Sequence, residues 1–255
     1  MKVQGVDSGN AFDFGRTSEL YAKYRDVYPP ELYERLHELG VGKAGTCWLD
    51  LGTGTGVLPL NLYKCGARII GTDVSAEQID AAKAAAQEKG AENVEFLTSS
   101  AEALPFADNT FDCVTAAQCF WYFDREKAVR EIRRVLRPGG LFVKVYLTWS
   151  SQDPAARRSC RLTKRLNPAW SFGSTGYRDM YAHPFPGGRV DVIDCELPFT
   201  RETWHGRMCA CRGTLASMDA ETFRVWEARH RKMLEKYPES FTVRHRLYIA
   251  SYMVE

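Results

Sequence analysis

From about residue 46 to residue 147, short β-rich runs alternate with stretches of helical patterning. Residues 47–51 read as a buried strand ending at Gly52, and a helix follows to about Lys64, stopped by Gly66. Residues 67–72 form a second strand. Ser75 and Gln78 then make a capping box for a helix to Lys89, closed by Gly90. Residues 94–97 and 111–116 are further strands. Asp124 caps a helix whose Val129, Ile132, Val135 and Leu136 fall at helical spacing, ended by Pro138-Gly139-Gly140. The next strand is 141–147. Strands separated by helices of this length predict an α/β fold, a parallel sheet covered on both faces.

The flanks read differently. Residues 17–39 suit two helices, the second with Pro30 at its first position and Gly40 at its end. Residues 150–185 are rich in Arg, Pro, Gly and aromatics, with Asp153-Pro154 as a helix start; so long an insertion between sheet strands is a candidate lid. Strands are expected at 190–199 and 241–253. Between them lie a helix near 202–212 and an Asp219-capped helix with Phe223, Trp226, Met233 and Leu234 on one face.

Composition excludes several classes. Hydrophobic residues are 45%, charged residues 26% and the net charge +2, which suits a soluble globular chain and not a disordered or fibrous one. No run approaches a membrane span, and residues 1–10 lack the apolar core of a secretory signal. The eight cysteines are scattered, without a CxxC pair or histidines at ligand spacing. No metal site and no disulfide framework is expected, and a cytoplasmic setting with free thiols follows. Charge is uneven: residues 151–255 hold 17 Lys/Arg against 12 Asp/Glu, and 154–178 carry six basic residues with no acid. That segment is either a solvated helix face or an anion-seeking lid.

The chemistry concentrates in Asp50-Leu-Gly52-Thr53-Gly54-Thr-Gly56. A glycine-rich turn between first strand and first helix lets a ligand approach the backbone closely. The dinucleotide fingerprint fails, because the sixth position from Gly52 is Val57 and from Gly54 is Pro59. The glycines sit at 1, 3 and 5 instead, with an acid two residues before the first. That carboxylate suits the ammonium of a methionyl group, the arrangement of S-adenosylmethionine (SAM) binding, and would repel a pyrophosphate. Asp73, 21 residues after Gly52 at the end of the second strand, is placed to accept ribose hydroxyls. The loop at Ser99-Ser100-Ala101-Glu102 leaves the third strand beside the place an adenine would take.

Together these residues resemble the class I SAM-dependent methyltransferases, in particular the type 11 family related to ubiquinone/menaquinone and trans-aconitate methyltransferases. The resemblance extends through 101–106, 111–118, Arg134-Val-Leu-Arg-Pro-Gly-Gly140, the opening 21–29 and 200–207. It implies a Rossmann-like, seven-stranded sheet of order 3-2-1-4-5-7-6 with one antiparallel strand and a helical cap. It further implies a single domain over 1–255: cap helices at 1–40, a cofactor core at 41–149, the lid at 150–185, and 186–255 completing the sheet. Asp50, Gly52, Thr53, Gly54 and Gly56 would hold the methionyl part of SAM and Asp73 its ribose. Val74 and Ala101 would flank the adenine, Ser100 standing where many relatives have an Asp toward its amino group. Gln118 would lie near the sulfonium, and Tyr24 and Arg25 would close over the cofactor.

The acceptor side departs from the pattern. Many relatives read Ala-Phe-His-Trp-Phe where this chain has Cys119-Phe-Trp121-Tyr122-Phe123, so the histidine becomes Trp121, which cannot act as a base. His205 and His245 are the candidate bases. Tyr21, Trp121, Tyr122, Trp204, Arg207 and Arg212 are expected to meet a small, anionic or aromatic acceptor; the helix near 202–212 would place Trp204 and Arg207 on one face. The absence of Asn-Pro-Pro-Tyr or Asp-Pro-Pro-Tyr argues against methylation of a base's exocyclic amine. Methyl transfer to a small molecule, leaving S-adenosylhomocysteine, is the expected reaction. The alternatives are an RNA- or protein-modifying methyltransferase and a non-catalytic SAM- or dinucleotide-binding protein.

Overall fold

A computed structural model describes residues 7, 10–13, 15–17, 20, 23–24, 28–171 and 182–255. Seven strands form one sheet of order β3-β2-β1-β4-β5-β7-β6. They are β1 Cys47–Leu51, β2 Arg68–Asp73, β3 Val94–Thr98, β4 Phe111–Ala117, β5 Leu136–Trp149, β6 Arg189–Thr200 and β7 Ser240–Val254. The order expected from the resemblance is therefore the observed one. The helices are α1 Pro30–Glu38, α2 Val57–Leu62, α3 Ala76–Lys89, α4 Arg125–Val135, α5 Pro154–Leu166, α6 Arg201–Cys209 and α7 Ala220–Leu234.

The chain divides into two compact units. The first comprises Tyr28–Tyr146, Arg178–Val192 and Leu247–Glu255; the second comprises Met1–Val27, Leu147–Tyr177 and Ile193–Arg246. In the first unit β1 pairs in parallel with β2 and β4, and β2 with β3. Asp50 pairs with Gly71 and with Thr115, and Asp73 with Thr98. This register brings the carboxyl ends of four strands to one edge, the edge where ligands of open α/β sheets bind.

Local chemistry sets the helix ends. Ser75 Oγ accepts the Gln78 amide at the start of α3, and Gly90, at φ +62°, closes it in the left-handed region. Asp124, Asp153 and Asp219 cap α4, α5 and α7 by accepting first-turn amides. Thr200 and Thr203 cap α6 reciprocally, a capping box absent from the sequence reading.

Two boundaries correct that reading. Leu136 does not continue α4; it is extended and pairs with Phe111. The ladder then advances two residues on β4 while β5 advances five, from Leu136 to Leu141. Arg137-Pro138-Gly139-Gly140 loops out there, because Pro138 has no amide for the ladder and Gly139 turns at φ +75°. The second correction concerns α6, which ends at Cys209, so Arg212 lies in the following turn. The Thr214 hydroxyl stops the helix, lying 2.7 Å from Met208 O and 2.8 Å from Cys209 O.

Candidate active site

The glycine turn joins β1 to α2, and Gly52, Gly54 and Gly56 all have φ between +57° and +77°. Two of them also answer a close approach. A Cβ on Gly52 would lie 2.7 Å from Cys119 Cβ, and one on Gly56 would lie 2.6 Å from the Phe96 ring. Cys119 Sγ donates to Leu51 O at 3.0 Å, so the chain after β4 packs directly onto the turn. Cys119 carried no role in the sequence reading.

Asp73 fastens the turn from the neighbouring strand. One carboxylate oxygen accepts the Gly54 amide at 3.0 Å and the other accepts the Ser75 amide at 3.0 Å. Burial raises its pKa, against the pull of the Ser75, Gly54 and Val74 amides. An ionised carboxylate has about four acceptor positions, so beyond the Ser75, Gly54 and Val74 amides it keeps room to accept from a hydroxyl of a vicinal diol. Beside it Val74 is 52% exposed, an apolar surface of the kind a purine ring covers.

Asp50 lies behind the turn, only 2% exposed. Thr115 Oγ1 donates to its Oδ1 at 2.5 Å and accepts from Trp48 Nε1 at 2.8 Å. Burial raises the Asp50 pKa to about 7, opposed by Thr115 and Thr53 and assisted by Asp73. A ligand ammonium would return it to the charged form, which fits the expected methionyl group. Ser100 donates to Glu102 and accepts the Glu102 amide at 3.2 Å, while Glu102 also accepts the Asp124 amide at 2.8 Å. Glu102, which the sequence reading left without a role, is thus the acid beside the expected adenine position; Ala101 is buried.

At the end of β4, Gln118 has φ +62°, unusual for a residue with a side chain, and its amide donates to Val145 O at 2.9 Å. Trp121 stacks on Tyr146 at 4.6 Å and meets Tyr122 edge-on at 5.8 Å. Its buried Nε1–H makes no hydrogen bond among the described residues. Lys144, 0% exposed on β5, donates to Ala182 O at 2.7 Å and lies 5.6 Å from the Phe120 and Tyr146 rings. Its only sequence signal was a lysine in an otherwise apolar strand.

The remaining candidates that the structure describes belong to the second unit. Tyr24 donates to Glu202 at 3.2 Å and its ring packs closely against Gly206. Trp204 and Arg207 both meet Trp149, the first edge-on at 5.9 Å and the second over its ring at 5.8 Å. Arg212 pairs with buried Asp7 at 2.7 Å. His245 is buried, donates from Nδ1 to Val243 O at 2.8 Å and stacks on Phe199. Tyr21 and Arg25 lie outside the described residues.

His205 belongs to a buried chain that spacing could not reveal, since its members come from α5, α6 and α7. Ser159 accepts from Trp204 Nε1 at 3.0 Å and gives its own proton to Ala155 O at 2.9 Å. His230 must then donate from Nε2 to Ser159 Oγ, 2.8 Å away, leaving Nδ1 to accept from His205 Nδ1, also at 2.8 Å. Cys209 Sγ, 3.4 Å from His205 Nε2, supplies the last proton. In this arrangement each donor has one use; His205 Nε2 also lies 3.6 Å from Glu227 Oε1, and burial favours the neutral form of both rings. Burial, then His205 and Arg231, lower the His230 pKa to about 3; burial also lowers that of His205.

The unfolded chain therefore binds protons that the folded one refuses. As pH falls from about 6.5 toward 3, stability should drop by roughly 1.4 kcal/mol per unit for His230 at most. Urea unfolding from pH 7 to pH 4.5 should show this slope, flattened in His230→Gln. An undiminished slope in the variant would contradict the assignment.

Among the described residues no group of three His, Cys, Asp or Glu side chains could hold a metal ion, and no helix is long and apolar enough to cross a membrane. None of the eight cysteines is in a disulfide.

Comparison with known proteins agrees with this fold. The type 11 family model, a methyltransferase domain, matches residues 49–144. The uncharacterized methyltransferase YcgJ of Bacillus subtilis is 43% identical over 199 residues, 76% of this chain and 78% of that protein. Its crystal structure superposes with a TM-score of 0.54 over 86% of this chain and 99% of that one, at 26% identity. The uncharacterized methyltransferase Rv3342 of Mycobacterium tuberculosis is 34% identical over 143 residues, 56% of this chain and 54% of that protein. The demethylmenaquinone methyltransferase of Thermus thermophilus is 45% identical over 112 residues, 43% of this chain and 50% of that protein. The chain thus spans about half the length of the mycobacterial and Thermus relatives.

Proposed function

We propose, since the chain belongs to the type 11 family of class I SAM-dependent methyltransferases, that it transfers a methyl group to an O, N, S or C nucleophile of a small molecule. The observation that carries this reading is Asp73, which ties the Gly54 and Ser75 amides together at the end of the second strand and keeps acceptor capacity for a ribose hydroxyl. When bound, SAM supplies a methyl group on a positively charged sulfur, already electrophilic. The chain's own work is alignment and exclusion of water.

In this reading Asp50 receives the ammonium, Asp73 the ribose hydroxyls, and Val74 and Ala101 the adenine, with Ser100 and Glu102 near its edge. Gln118 holds the end of β4 in a backbone conformation that costs of order 1 kcal/mol, as functional loops often do. Trp121 and Tyr122 form an aromatic wall for the acceptor. The Trp121 indole N–H, unsatisfied among the described residues, donates to an oxygen of the acceptor. No dedicated base is required for an acceptor that is already anionic. His205, buried with its ring nitrogens engaged by the protein, and His245, buried with its Nδ1 donating to Val243 O, are not assigned that role. Trp204, Arg207 and Arg212 are assigned to holding their own unit together. The name of the Thermus relative, a demethylmenaquinone methyltransferase, supports a small aromatic acceptor.

The test incubates the protein with SAM labelled in its methyl group and with three acceptor pools: small metabolites, RNA and denatured protein. Label entering the small-molecule pool, lost in Trp121→Ala with SAM affinity retained, is the expected result. Label confined to RNA or protein would replace this reading with the macromolecular one.

A further inference from the structure

The second unit contains a cavity of about 510 Å³, within the range of small-molecule sites. Its lining combines two tryptophans, Trp149 and Trp170, with the cationic side chains Arg157, Arg161 and Lys164 of α5. None of these was singled out as a site residue from the sequence, although the acid-free basic run 154–178 was visible there.

The walls are fixed before any ligand arrives. Trp149 Nε1 donates to Cys160 Sγ at 3.1 Å, which spends the indole N–H and sets the ring. Trp170 is buried and packs against Gly213, where a Cβ would come within 2.5 Å of its ring. Asn167 Nδ2 holds that contact by donating to Gly213 O at 3.1 Å and Ser217 Oγ at 2.9 Å. Lys164 Nζ donates to Pro168 O at 2.6 Å and Trp170 O at 2.5 Å, so its ammonium braces the turn that carries Trp170.

The two arginines have a different situation. Positions 157 and 161 are one helical turn apart and share a face of α5. Both are exposed, and neither forms an ion pair among the described residues. Two guanidinium forks beside a rigid aromatic wall match a planar body bearing a carboxylate, which one fork binds at two points. Cys160, its pKa raised to about 12 by burial, stays a thiol, so the ligand is held without a covalent bond.

We propose that this cavity is a binding site for a planar aromatic carboxylate, its ring against Trp149 and Trp170 and its carboxylate on Arg157 and Arg161. The inference stands on the cavity alone and does not depend on methyl transfer.

The test titrates the full chain with 2-naphthoate, its neutral amide and inorganic phosphate, by calorimetry and tryptophan fluorescence. Naphthoate should saturate with a Kd on the order of 10–100 µM and quench fluorescence. The amide and phosphate should each bind about tenfold more weakly or worse, and the double variant R157Q/R161Q should lose naphthoate about tenfold. The same variant should keep its unfolding midpoint and its SAM titration, which separates failure of this site from failure of the methyltransferase reading. Equal affinity for acid and amide, unchanged affinity in the double variant, or no saturation below millimolar concentration would each overturn the proposal.

Discussion

Replacing Trp204 with alanine should destabilise the protein by about 3–5 kcal/mol, the range for truncating a buried aromatic side chain. Trp204 is 0% exposed and packs edge-on against Phe199 at 5.0 Å and Trp149 at 5.9 Å, with His245 at 6.4 Å. Its Nε1 also donates to Ser159 Oγ, so truncation opens a cavity and removes one donor from the histidine chain. Against a typical total of roughly 5–15 kcal/mol, such a loss removes much of the stability. Trp204→Phe keeps a ring and should cost far less, since Ser159 still accepts from His230. Urea unfolding followed at constant m-value measures both variants. A loss below about 1 kcal/mol for the alanine variant would show that the ring is not the keystone of this unit.

Asp73→Ala should weaken SAM binding by about 1.5–3 kcal/mol, the worth of hydrogen bonds to a charged group, or roughly ten- to hundredfold. The carboxylate has two duties, fastening the Gly54 and Ser75 amides and presenting its remaining acceptor capacity. Asp73→Asn separates them: one amide oxygen can keep one backbone contact while its NH₂ faces a hydroxyl or an N–H with a donor. It should therefore lose nearly as much SAM affinity as alanine while perturbing the fold less. Unchanged affinity in a folded Asp73→Ala protein would reduce the residue to a turn fastener.

Local features carried the legible part of this molecule. The alternation of strands and helices, with capping residues at their ends, was legible because each signal spans only a few positions; the order of the strands came from the family resemblance. The glycine turn was legible for the same reason, because Gly52, Gly54, Gly56 and the acids at 50 and 73 each state a backbone or charge requirement. What escaped is non-local. The Ser159–His230–His205 chain joins residues from three helices, and its one trace was a histidine in the apolar stripe that includes Phe223 and Trp226. Glu102 was quoted without a role because only the folded loop turns it toward Ser100 and the Asp124 amide. The early end of α6 depends on a hydroxyl at Thr214, five positions beyond the last helical residue. The Pro138-Gly139-Gly140 signal was read correctly as a break, but the strand claimed Leu136 first because Phe111 offered it a partner.

The central claim is that the edge formed by Asp50, the glycine turn and Asp73 binds SAM. Calorimetric titration of the full chain with SAM, S-adenosylhomocysteine and NADH tests it most directly. The account predicts that SAM and S-adenosylhomocysteine bind with a Kd on the order of micromolar, and that NADH gives no heat of binding. NADH binding at micromolar concentration, with no binding of SAM or its demethylated product, would contradict it.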